Sequence, residues 1–237
     1  MLPNLNLPEF ITELPSNNQK VNFRPFLVKE EKILLMAMEG NDIAEIENAV
    51  IKILCNCVSL SEDEVAELPP FDIEYLFMQI RAKSVDNVVK LRLSHKDKEM
   101  CDHATSYELD LNDIKVVTDP NHNKKIMLTD TAGIVMRYPS MKNMEGLQDA
   151  VNESAVNSMF ETIAKGIAMV FDDINVYEDS SMQERIEFLE NLNKDQFEKV
   201  LQFYKTMPVL SHDITYICEK CGQEETVSLR GLASFFS

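Results

Sequence analysis

Tryptophan is absent and glycine is scarce, at six positions in 237 residues. Phosphate cradles need clustered glycines so that backbone amides can approach the phosphates. None of the six is followed by lysine, so there is no GxxxxGK[ST] loop. HExxH and GxSxG are also missing, and with them the metalloprotease and α/β-hydrolase constellations. No apolar run approaches the ~20 residues that span a bilayer. Met1-Leu2-Pro3-Asn4 offers neither a charged n-region nor an apolar h-region, so the chain is expected to stay where it is made, with no membrane partner. Basic residues are few: 23 against 40 acidic, a net charge of −17. Such a surface repels a phosphate backbone, so no nucleic-acid partner is expected; it suits a dispersed protein or one docking on a basic protein surface. Five cysteines, odd in number and sparse, do not make a disulfide framework and fit a reducing cytoplasm.

What is present is enough for a core, at 45% hydrophobic residues. Residues 1–28 alternate apolar and polar and predict a β arm, Phe10 to Leu14 and Lys20 to Phe23 about a turn at Ser16-Asn17-Asn18-Gln19. The period turns helical over 29–86, with helices from Lys29 to Gly40, from about Asp42 to Cys57, and from Pro70 to Ala82. Region 87–140 returns to period two: Val89, Leu91 and Leu93, then Tyr107, Leu109 and Leu111, flank a polar tip from Lys96 to Ser106. Short strands are predicted at Ile114 to Val117, Lys125 to Asp130 and Ile134 to Tyr138. Region 141–210 reads as helices at Gln148 to Asp172, Ser181 to Leu192 and Lys194 to Thr206, with Asp172 to Ser181 an acidic loop. Region 211–237 closes the chain with strands Asp213 to Ile217 and Glu225 to Leu229 around a knuckle. The class is α+β: helical hairpins packed with short antiparallel β-hairpins, with 28–237 expected as one compact unit.

That knuckle, Cys218-Glu219-Lys220-Cys221-Gly222, is where spacing dictates chemistry. Two thiolates two residues apart can face one tetrahedral cation, and Gly222 relieves the backbone as it turns toward the sulfurs. Zinc in a structural role is the expected cofactor. A knuckle supplies two of four ligands. The other candidates sit together at the tip of the predicted hairpin over 87–111: Cys101 and His103 complete the set, with His95 able to substitute. Two hairpin tips pinching one ion is a zinc-ribbon-like arrangement. A redox CxxC would instead open a helix after a strand. Cys55 and Cys57 point to different faces of a helix and read as packing thiols. Asp130-Thr131-Ala132-Gly133 imitates the magnesium-contacting DxxG of GTPases, but without a phosphate loop it reads as a turn. Phe23-Arg24-Pro25-Phe26 offers two aromatics and an arginine, as an interface anchor or as a staple holding the first helix.

Three stretches carry a resemblance. Phe23 to Ala37 (FRPFLVKEEKILLMA), Phe71 to Val85 (FDIEYLFMQIRAKSV) and the terminal Cys-x-x-Cys-Gly followed by Leu229-Arg230-Gly231-Leu232 resemble the baseplate hub proteins of T-even-type bacteriophages, over nearly the whole chain. The resemblance implies a non-enzymatic part in the contractile tail: a hub component, or an assembly factor that promotes hub formation and leaves. The implied partners are other phage hub or tail proteins. The implied location is the host cytoplasm during assembly, or the baseplate of the virion.

Two other readings compete. A metal-dependent enzyme needs a metal with an open, water-filled position, which four protein ligands would close. A zinc-ribbon nucleic-acid binder needs a basic patch around the knuckle, where Glu219, Glu224 and Glu225 face only Lys220 and Arg230.

Overall fold

A computed structural model describes residues 7–40, 43–84, 87–95, 97, 101–140, 154–231 and 234. The chain is a mixture of helices and small antiparallel sheets in two compact units. The first comprises Met1–Val65, Phe71–Val117 and Val209–Ser237; the second comprises Ala66–Pro70 and Thr118–Pro208.

In the first unit, Phe10–Glu13 (β1) and Lys20–Phe23 (β2) pair antiparallel, with Asn18 in the turn at a positive φ of 59°. Asparagine tolerates that region better than most residues. The hairpin is tied to a later helix through Asp72, a fully buried carboxylate that accepts from the amide and the hydroxyl of Ser16. Thr12 and Tyr75 make a second hydroxyl link at 2.9 Å. Next come Val28–Glu39 (α1), Ile43–Cys57 (α2), Glu62–Ala66 (α3) and Pro70–Ser84 (α4). Proline at the first position of α4 costs no hydrogen bond, and Phe71, Leu76, Phe77, Met78 and Ile80 are buried along it. Each such side chain contributes about 1.5–3 kcal/mol of burial, which makes α4 the spine of this unit. The one-turn helix α3 was not anticipated. Its start is the reciprocal Ser61–Glu64 cap, which the sequence does spell.

The Phe23-Arg24-Pro25-Phe26 segment is used inside the fold. Phe23 stacks on Phe10 and Phe26 on Phe77, both segment aromatics are buried, and Arg24 pairs with buried Glu30.

Two β-hairpins complete the first unit. Val88–Ser94 (β3) pairs with Ala104–Asp110 (β4), and Val209–Ile217 (β10) pairs with Glu224–Arg230 (β11) on one edge and with Lys115–Val117 (β5) on the other. Leu91, Leu93, Leu109 and Leu111 from the first hairpin share one core with Leu210, Ile214, Tyr216 and Leu229 from the second, together with Met78 of α4 and Ile114. Alternation along β3 and β10 therefore puts both apolar faces on the same core.

The second unit holds a sheet in the order β6-β7-β8-β9: Lys125–Met127, Gly133–Met136, Ile167–Phe171 and Val176–Tyr177. Ser154–Gly166 (α5), Met182–Glu190 (α6) and Lys194–Lys205 (α7) accompany it. Ile134, Met136, Ile163, Ala164, Ile167, Leu189, Val200 and Phe203 form its buried centre. Reciprocal caps start both later helices, Ser181 with Glu184 and Asn193 with Gln196. The helix expected from Gln148 to Asp172 needs correction. Gln148 to Glu153 lies outside the described residues, and the helix ends at Gly166, where the chain becomes strand β8. Ile167, Val170 and Phe171 favour an extended backbone, and β8 sits between β7 and β9 with a partner on both edges. A short strand also occurs in the expected acidic loop, at Val176–Tyr177; Asp173 to Asp179 is nevertheless exposed.

Candidate metal centre

The β10–β11 ladder runs in register from Ser211 opposite Arg230 to Ile217 opposite Glu224, leaving Cys218 to Gln223 as its turn. Within that turn the Cys218 amide donates to the Gln223 carbonyl and the Gly222 amide to the Cys218 carbonyl, each at 2.9 Å. Gly222 has a φ of 72°, a conformation that residues with a Cβ rarely adopt. The winding aims the amides of Cys221 and Lys220 at the Cys218 sulfur. The Cys221 amide is the largest influence on that thiol, and burial, which opposes it, is outweighed: Cys218 is lowered to about 5. Charge-accepting backbone of this kind holds a thiolate ready for a cation.

The other donors come from the β3–β4 hairpin. Cys101 precedes β4 and is buried, with its Sγ 4.0 Å from Cys218 Sγ. His95 follows β3 directly; its side chain is fully enclosed, and Nε2 lies 3.4 Å from Cys221 Sγ. The ligand atoms of His95, Cys101, Cys218 and Cys221 all lie within 4.8 Å of one another. A tetrahedral zinc ion with bonds of about 2.3 Å to sulfur and 2.0 Å to nitrogen sets S···S at about 3.8 Å and N···S at about 3.5 Å. The Cys101–Cys218 and His95–Cys221 separations lie close to those values, so the four residues fit a metal ion. All five cysteines are free thiols. Burial first, and then the neighbouring sulfurs, push the Cys101 thiol up, so the cluster resists full ionisation unless a cation shares it.

Around these donors lies a polar shell. His95 Nδ1 is 2.9 Å from Glu225 Oε2, at hydrogen-bond distance though short of hydrogen-bond alignment. The Tyr216 hydroxyl donates to the same oxygen at 3.1 Å, and the Glu219 amide donates to Thr105 Oγ1 at 3.4 Å, joining the knuckle to β4.

Residues 7–237 match the family described as T4 bacteriophage base plate protein. The chain belongs to that family. No curated protein and no solved structure matches it. In this base plate protein His95 and Cys101, which flank the β3–β4 turn, come together with Cys218 and Cys221 of the β10–β11 turn. His103 stands apart from that quartet, with Nε2 3.8 Å from Glu219 Oε2 and its side chain partly exposed. Cys55 and Cys57 lie on α2 outside the cluster, and burial raises the Cys57 thiol to about 11. Asp130 to Gly133 is a turn closed by the Ala132 carbonyl, which accepts from Leu128 and Thr129. Glu225 and Tyr216 were expected close to the knuckle, but not as partners of His95. The signal was available: pairing two strands about the Cys218 to Gln223 turn sets Tyr216 opposite Glu225.

Proposed function

We propose that this base plate protein is a component of the central hub, or a factor that promotes hub formation, acting through contact with other phage tail proteins. In the same reading a zinc ion clamps its two hairpins. The match over residues 7–237 carries the proposal. One feature of the surface supports the contact role. Val28, Leu35 and Met36 are exposed on α1 at spacings of seven and one, an apolar strip that isolated solvent exposure does not favour. Among the described residues no helix is long and apolar enough to cross a membrane.

The metal reading is structural rather than catalytic. Three thiols and an imidazole close a tetrahedral shell, whereas a catalytic zinc keeps one position for water. Zinc bound there supplies a cross-link and no turnover, and Glu219, Glu224 and Glu225 around the knuckle oppose a nucleic-acid role. The site of action is the host cytoplasm during tail assembly, and the finished baseplate if the protein is retained.

Quantitative mass spectrometry of purified virions and of isolated tail intermediates tests the role. Presence in both is the outcome for a hub component, and presence in intermediates alone is that for an assembly factor; absence from both sinks the proposal. Elemental analysis of tag-free protein beside a Cys218→Ser variant tests the metal. Stoichiometric zinc, lost with a fall in melting temperature in the variant, is expected; equal metal content and melting in the two would remove the clamp.

A further inference from the structure

We infer that His95 binds the metal through Nε2 and that Glu225, held by Tyr216, is the residue that positions it. This rests on the zinc reading above and adds to it the outer partner that selects the ligand atom.

A neutral imidazole has one N–H and one lone pair, and the group facing one nitrogen decides what the other can do. Glu225, as a carboxylate, only accepts. At 2.9 Å from Nδ1 it keeps the proton on that nitrogen and leaves the Nε2 lone pair directed at the thiols, 3.4 Å from Cys221 Sγ. The imidazole is fully enclosed, with the Tyr216 ring 6.4 Å from it.

Glu225 is itself fixed. Tyr216 and Glu225 are directly opposed in the β10–β11 ladder, and the Tyr216 hydroxyl donates at 3.1 Å to the same Oε2 that faces His95. The knuckle hairpin therefore contributes two thiols and also the carboxylate that orients the ligand from the other hairpin. A ligating histidine whose second nitrogen meets a carboxylate has its ring orientation set and its basicity raised, and losing the carboxylate weakens metal binding by about 10–100-fold. Nδ1 has no aligned hydrogen-bond partner among the described residues, so a small rotation of the ring toward an ion at Nε2 has a bond to gain with Glu225.

The test measures zinc affinity of the full chain by competition with a chromophoric chelator. Long-range 1H–15N spectra of the histidine rings are recorded in parallel. Glu225→Ala is expected to bind zinc about 10–100-fold more weakly than wild type. Glu225→Gln keeps an acceptor without the charge and falls between the two; His103→Ala matches wild type. In the zinc-bound wild type, His95 carries its proton on Nδ1. Zinc affinity in Glu225→Ala equal to wild type overturns the inference, as does a His95 ring protonated on Nε2. A wild-type chain that takes up no zinc overturns the clamp itself, whereas a wild-type chain that binds zinc indifferently to Glu225 overturns only the positioning role. A purely structural Glu225 would lower the melting temperature of the metal-free chain and leave the His95 tautomer unchanged, which also counts against the inference.

Discussion

Arg24 Nη2 lies 3.1 Å from Oε1 of Glu30, whose carboxylate has no solvent exposure. The other oxygen of Glu30 accepts the Leu27 amide at 2.7 Å, the return half of a helix cap, and Lys29 approaches at 3.3 Å. The pair joins the chain entering α1 to the helix itself, so its rupture acts on both.

Removing one member of a buried ion pair costs about 3–5 kcal/mol, because the remaining charge is left without its partner. Arg24→Ala is expected at the low end of that range, since Lys29 still faces Glu30. Urea denaturation measures it; a loss indistinguishable from that of an exposed arginine would show the pair to be inert.

Acid should weaken the same contact. Burial by itself raises the Glu30 pKa, but the Leu27 amide, Arg24 and Lys29 outweigh it and the net shift is downward from 4.5. A lowered carboxylate contributes stability that is complete above the unfolded value and is lost as pH falls through the folded one. Between pH 6 and 3 the wild type should lose stability more steeply than Glu30→Gln. Parallel curves for the two proteins would disprove the linkage.

His122 provides a second pH dependence, in the other unit. Its ring stacks on Tyr138, with Nδ1 3.0 Å from Thr206 Oγ1 and Nε2 3.0 Å from the Tyr138 hydroxyl. Burial, followed by Lys124, lowers its pKa below 6.5. The neutral ring is the native form, so its contribution is whole above pH 6.5 and fades as pH drops through the lower folded value. An NMR titration should place the His122 midpoint below that of a free imidazole; a midpoint above 6.5 would reverse the sign.

Asp72 predicts a local effect. With Asp72→Ala the Ser16 amide and hydroxyl lose their shared acceptor, at a cost of about 1.5–3 kcal/mol for bonds to a charged group. Hydrogen exchange should show β1 and β2 losing protection before β10 and β11 do. Uniform loss across the unit would mean that Asp72 supports α4 rather than the hairpin.

Gly133 has no room for a methyl group. A Cβ there would strike the Ile126 carbonyl and the Phe171 ring, backbone on one side and a packed aromatic on the other. Gly133→Ala is expected to cost about 1–3 kcal/mol by overpacking, read as a lowered melting temperature. Unchanged melting would mean that β6 and β8 yield freely.

Much of this was legible in the residues. Period-two alternation marked the β3–β4 and β10–β11 hairpins, because each has one buried and one solvated face. The apolar run through Ile163, Ala164, Ile167, Ala168 and Val170 satisfied helix and buried strand alike, and pairing between β7 and β8 decided it. The choice between His95 and His103 near the knuckle could have been narrowed further. Leu91, Leu93 and His95 are each two apart and all buried, so the alternation that marks β3 also carries His95 onto the core face. Glu225 was harder to see, since its importance depends on a register and on a ring from a segment far away in the chain.

Cys101 and Cys218 are separated by 117 positions, and between them runs Thr118–Pro208, most of the second unit. A bound ion would turn that stretch into a covalent-like ring closed through sulfur. Peptide-bond cleavage anywhere along the arc would then leave two fragments fastened by metal as well as by the β5–β10 ladder, and they would part only once a chelator and a denaturant had both been added.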